Sequence, residues 1–153
     1  MPGEIAKRKA AAQMSPRVLR RLAQFRYELR RFLWFSEKSA RTAGVTPQQH
    51  QLLLGVAGHT GRGWATISEL AEFLQERHNA VVGLADRALQ RGLVEKHSVA
   101  RDHRFVRVEL TAKGRRILAG LAALHRRELR RFERRIRLQA PVSHKQSSRE
   151  QDA

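Results

Sequence analysis

Cysteine is absent from all 153 residues. That excludes a disulfide framework, a thiolate zinc site and thiol-based redox sensing, and it suits a reducing cytoplasm. Acidic residues are scarce, 14 Asp and Glu against 31 Lys and Arg, for a formal net charge of +17. A chain so unbalanced is expected to meet a polyanion, either nucleic acid or an anionic membrane surface. No stretch approaches the roughly 20 apolar residues needed to span a bilayer. The N-terminal MPGEIAKRKAAAQMSP is basic but leads into no apolar signal core, so the membrane reading reduces to surface binding, and DNA rather than a membrane is the expected partner. Also missing are a P-loop, a nucleophile elbow and a paired-carboxylate pattern. The seven histidines come without His-Glu-x-x-His. Although His97, Asp102 and His103 stand close together, they do not amount to a ligand motif. Neither an enzyme, nor a metal, nor a cofactor is expected. What remains is a chain with 41% hydrophobic residues, enough for a folded core.

Periodicity divides that chain. Residues 1–16 read as a flexible basic arm. From Arg17 to Ala43, Leu22, Phe25, Leu29, Phe32, Leu33 and Ser36 recur at helical steps, and Gly44 stops the helix. Thr46-Pro47 opens a second helix as cap and first residue. Thr66 with Glu69 three residues on is a capping box for a short third helix, preceded by a strand at Trp64–Thr66. A fourth helix covers His78 to Arg91, with Val81, Leu84, Ala85, Ala88 and Leu89 inward, and Gly92 ends it. Leu93–His97 and Arg104–Leu110 have strand character, and residues 99–103 predict a long, mobile hairpin loop. Thr111 caps a last helix running to about Leu138, and Pro141 lies beyond its end. Residues 140–153 are expected to be disordered. The expected fold is mainly α with a small β part, an α+β winged helix-turn-helix over residues 45–110. Long terminal helices, 17–44 and 111–139, flank it.

Two short helices followed by a hairpin are the parts of a winged helix-turn-helix. Its second helix enters the major groove of duplex DNA and its hairpin reaches a minor groove or the backbone. Several ordered pieces carry a more specific likeness: Val45-Thr46-Pro47-Gln48-Gln49, Glu69-Leu70-Ala71, Leu84-Ala85-Asp86-Arg87, Arg91-Gly92-Leu93-Val94, Asp102-His103-Arg104 and Leu110-Thr111-Ala112-Lys113-Gly114. On these residues the sequence resembles the MarR family of winged-helix transcription regulators over roughly Arg17 to Arg137. The resemblance implies a homodimer whose first and last helices interlock. It also implies repression at a pseudo-palindromic operator, and a cleft between lobes that holds small, often aromatic, acidic effectors. The long apolar stripes of the terminal helices agree, since one small lobe cannot bury them.

The expected DNA-contacting set is Arg77, His78, Asn79, Val82, Gly83 and Arg87 on the reader helix with Arg101, Asp102, His103 and Arg104 on the wing. Asn79 suits adenine and Val82 a thymine methyl. Gly83 either lets the backbone approach or reduces base contact. Within the resemblance, Asp102 orients an arginine, and His103 stands where many relatives carry another arginine. Asp86 would repel phosphate and is expected to pair inside the protein, with a wing arginine as the candidate partner. Dimerisation is assigned to Leu22, Phe25, Leu29, Leu121, Leu129, Phe132 and Ile136. Within the resemblance an effector pocket is assigned to Trp34, Phe35, Arg41 and His50, with Arg41 or His50 pairing an anion, while core or dimer packing is the preferred reading for each residue taken singly. The arginine-rich run 126–137 reads as a solvated helix face with internal Arg–Glu pairs, with long-range attraction of DNA or acidic partners as the alternative. Competing readings are an architectural, weakly specific DNA binder, an RNA-binding winged helix and a metal-dependent protein.

Overall fold

A computed structural model describes residues 3–5, 15–99 and 102–138. Helix α1 (Pro16–Thr42) begins with proline in its first turn, where a missing N–H is harmless. Helix α2 (Pro47–Leu54) has the full reciprocal cap: Gln49 N–H donates to the Thr46 hydroxyl and Thr46 N–H to the Gln49 side chain, both at 3.1 Å. It widens into a π turn, Gly55–His59. Strand β1 (Trp64–Thr66) leads into α3 (Ile67–Leu74), capped by Thr66 and Glu69 as expected. Gln75, at φ 54°, makes the turn into α4 (His78–Gln90). Strands β2 (Val94–Val99) and β3 (Asp102–Leu110) follow, and α5 (Ala112–Leu138) ends the described chain.

The sheet is antiparallel in the order β1-β3-β2. Trp64 faces Glu109 on one side of β3, and Val94 faces Leu110 on the other. The hairpin is tighter than the sequence suggests. Val99 pairs with Asp102 after a register shift between Ser98 and Val99, so only two positions separate the paired residues. The shift leaves three positions of β3, 103–105, without partners on β2.

The core gathers Leu52, Leu53, Val56, Leu70, Val81, Leu93, Val94 and Val108 from every element of the winged lobe, with Leu118 and Leu121 from the start of α5. Leu121 is 1% exposed within its own chain. It is therefore a core residue and not one left for a partner. Leu89, expected inside, is 41% exposed, because it lies past the arc that α4 turns inward. Beyond Leu121, α5 runs antiparallel along α1. Phe132 stacks on Phe32 at 5.5 Å, His125 meets Ser36 at 2.8 Å, and Arg135 reaches the buried Glu28 at 3.4 Å. Among the described residues no helix is long and apolar enough to cross a membrane, and no cluster of three or more His, Asp or Glu could hold a metal.

Candidate nucleic-acid interface

Helix α4 presents its first turn to solvent. Arg77 is its N-terminal flanking residue and makes no side-chain cap. Arg77, His78 and Asn79 are all exposed, and no acidic residue lies in that turn. The free N–H groups and helix dipole there favour an anion. Val82 is half-buried against the core, so less of it is available than expected. Gly83 has a concrete role: a Cβ there would sit 3.3 Å from Arg87 Nη1. The glycine gives the Arg87 guanidinium room to lie back along the helix. Asp86 does pair inside the protein, though with Lys96 of β2 rather than an arginine. An exposed pair of this kind adds little stability; its consequence is positional, since it ties the reader helix to the wing.

The backbone of Asp102, His103 and Arg104 forms the first stretch of β3, the strand that pairs with β2. Their side chains, and all of Arg101, lie outside the described residues.

The segments 44–49, 91–94 and 110–114 converge in one joint below α4. Arg91 donates to Gln49 Oε1 at 3.1 Å and to the Gly44 carbonyl at 2.5 Å. The Thr111 hydroxyl donates to the Gly92 carbonyl at 2.6 Å, and Lys113 Nζ to the Arg91 carbonyl at 2.9 Å. Gly92, at φ 67°, takes the left-handed turn that side chains resist. Gly114 packs so closely on Leu93 that a Cβ would stand 2.1 Å from the Leu93 carbonyl oxygen. These residues hold the interface in place rather than forming it.

Two arrangements were not legible in the sequence. Arg62 and Arg107 sandwich Trp64, at 3.8 and 4.0 Å from its ring centre. Arg62 also bonds the Glu69 carboxylate at 2.6 and 2.7 Å. The Thr66 N–H above all holds that carboxyl below the usual range; burial opposes it, and the Arg62 guanidinium and the Thr66 hydroxyl add to the lowering. The other arrangement is a histidine pair. His125 donates from Nδ1 to the Leu121 carbonyl and accepts the Ser36 hydroxyl at Nε2 when neutral. His50 stacks on it at 4.8 Å, is 3% exposed, and leaves its own Nδ1 without a partner. Burial, reinforced by His125, lowers the His50 pKa to about 4.

The four expected pocket residues do not form one acid-binding site. Phe35 and His50 both flank His125. Trp34 and Phe35 line an open hollow of about 660 Å³ between α1 and α5. Arg41 points to solvent and pairs with Glu37 at 3.7 Å. A second cleft, of about 450 Å³, lies between α1, α2 and α4, where Glu37, Gln51, Glu76, Asn79 and Arg87 form part of its wall.

Comparison with known proteins agrees with this architecture. A sequence profile described as MarR family matches residues 43–104, from the end of α1 into β3. Over those residues the chain resembles the MarR family. It is similar to the HTH-type transcriptional repressor MdtR of Bacillus subtilis strain 168, with 32% identity over 96 residues, 60% of each protein. The match thus spans less than two thirds of that curated relative's length. Among solved structures, the fold resembles AbsC, a MarR family transcriptional regulator from Streptomyces coelicolor. The TM-score is 0.68 and the identity 20%, over 84% of each chain. It also resembles a point mutant of E. coli MarR complexed with operator DNA, with TM-score 0.59 and 20% identity over 71% of this chain and 76% of that one. The MarR family is one of transcriptional regulators, not enzymes. Its matched span takes in α3 and α4, the pair read above as support and reader helices.

Proposed function

We propose that this chain is a MarR-type, sequence-specific, duplex-DNA-binding repressor that acts as a cytoplasmic homodimer. The observation that carries the reading is the exposed, acid-free first turn of α4, tied to the wing by the Asp86–Lys96 pair. Arg77, His78, Asn79 and Arg87 read base edges and the adjoining phosphates, and Arg104 with Arg101 and His103 meets the neighbouring minor groove. Dimerisation joins residues 17–44 and 111–139 of two copies. Leu22, Phe25 and Leu129 are exposed in one chain and supply that contact with Leu29, Phe132 and Ile136. The operator-bound E. coli relative supports the DNA assignment by similarity of fold. An effector in the cleft between α1, α2 and α4 would lie against Asn79 and Arg87, so its binding would compete with base reading.

Selection of bound sequences from a random duplex pool tests the reading. Two inverted half-sites about 10 base pairs apart, centre to centre, are expected. A pool that shows no enrichment overturns sequence-specific binding in favour of a weakly specific architectural role. Arg104→Ala should weaken binding by about 1–3 kcal/mol at matched salt without dissociating the dimer. Leu129→Asp combined with Phe132→Asp should give a monomer in sedimentation; a dimeric double variant would remove α5 from the interface.

A further inference from the structure

The positive charge of this chain is not concentrated where the reader helix is. Within α4 the only arginine is Arg87, and it is accompanied by Asp86. Residues 126–138 of α5 hold seven arginines against two glutamates. Both the glutamate positions and the arginine positions matter. Glu128 is turned inward and buried, where it pairs with Arg131 at 3.3 Å and lies 3.7 Å from Arg135; Arg135 in turn reaches the buried Glu28. Those contacts use the arginines on the α1 side. Arg127, Arg130, Arg134 and Arg137 recur at steps of three and four on the opposite side of the helix, and all four are exposed. At 1.5 Å per residue the row extends about 15 Å. That length matches four or five base steps of a duplex strand at roughly 3.4 Å each. Glu133 is the one exposed acid in this half of the helix.

The row also lies far from the winged lobe. Helix α5 leaves that lobe at Gly114, which packs on Leu93, and Arg127 comes 13 residues later, about 20 Å along the axis. A duplex lying on α4 and the wing does not account for it. An amphipathic membrane helix would need a free apolar side next to its basic one. Here Phe132 stacks on Phe32, and the exposed apolar side chains, Leu129 and Leu138, are two isolated residues rather than a continuous side.

We infer that the outer face of the C-terminal half of α5 is a second polyanion-binding surface, and that its occupant is a second DNA duplex, held through phosphates without reading sequence. One molecule then bridges two duplexes, one at the winged lobe and one at the distal end of the helical lobe. The inference relies on the proposed function only for the first duplex.

A sandwich experiment on the full chain tests it. Protein is bound to an immobilised duplex carrying its selected sequence, and capture of a fluorescent duplex of unrelated sequence is measured. Wild type should capture the second duplex. The triple variant Arg127→Glu, Arg130→Glu, Arg134→Glu should lose capture by about tenfold or more in low salt, with affinity for the first duplex changed less than about threefold. The milder set Arg127→Gln, Arg130→Gln, Arg134→Gln should give an intermediate loss, which guards against misfolding of the charge-reversed chain. The inference is overturned if wild type captures no second duplex, if the triple variant captures as wild type does, or if affinity for the first duplex falls in parallel. It is also overturned if structured RNA, or vesicles containing phosphatidylserine, displace the second duplex at charge concentrations where unlabelled duplex does not. Asn79→Ala with Arg87→Ala separates the two readings: it should abolish preference for the selected sequence while capture through α5 persists.

Discussion

The winged lobe and the helical lobe solve the problem of burial in opposite ways. Among the described residues, every buried apolar residue of the core lies between Ala40 and Leu121. Outside those bounds, the side chains that α1 and α5 bury are Glu28, Ser36 and Glu128, while Val18, Leu22, Phe25, Trp34 and Leu129 stay exposed. The winged lobe carries two complete capping boxes and a core drawn from all its elements. The helical lobe is held by aromatic contacts of Phe32 and Phe35 with His125 and Phe132, a histidine-serine bond and ion pairs around Glu28 and Glu128. A helix pair that buries charge inward and leaves leucine outward is half of an assembly. The comparison therefore separates a unit that is complete from one that awaits the proposed second copy.

The sharpest way to break this division is at the joint. Gly114→Ala would drive a Cβ into the Leu93 carbonyl, a backbone clash that no rotamer relieves. A loss of more than about 3 kcal/mol is expected in urea unfolding, and an unchanged midpoint would mean that α5 can shift freely on the winged lobe. Next comes the histidine contact that crosses between lobes. The folded chain keeps His50 neutral down to pH about 4, whereas the unfolded chain takes up a proton near the ordinary histidine value of 6.5. Protons thus favour unfolding, and stability is fully present above 6.5 and falls as pH drops towards 4. The expected loss is up to about 3 kcal/mol. His50→Leu should flatten that part of the profile; parallel profiles for the two proteins would show that His50 is not the group responsible.

Two smaller effects stay inside the winged lobe. Thr66→Ala removes one half of the α3 capping box and should cost about 1 kcal/mol, without altering the association state measured by sedimentation. A change in association would mean the two regions are less separate than their packing indicates. Gln75→Gly relieves the left-handed conformation at the turn between α3 and α4 and should stabilise by about 0.5–1 kcal/mol. Destabilisation there would show that the Gln75 side chain makes a compensating interaction.

Legibility in the sequence followed the range of the interaction. Thr46, Pro47, Thr66, Glu69 and Gly92 act within one helical turn of themselves, and their roles are plain from local spacing. The sign of Asp86 is enough to predict an internal partner, but which partner, Lys96, depends on how β2 lies on α4. The Trp64–Arg107 contact of the arginine sandwich and the His50–His125 pair join residues far apart in the chain, and no local pattern announces them. Arg41 pairs with Glu37, one turn away, a neighbour that helical spacing alone makes legible.

Helix starts, the winged-helix order of elements, and the chain's need for an anionic partner are properties of composition and neighbouring residues, so they survive being read in one dimension. Which leucines face a core, how tightly the hairpin closes, and where an excess of arginine ends up relative to the reader helix are not. Those depend on the direction in which each helix turns its sides once packed, and that direction exists only after distant segments have met.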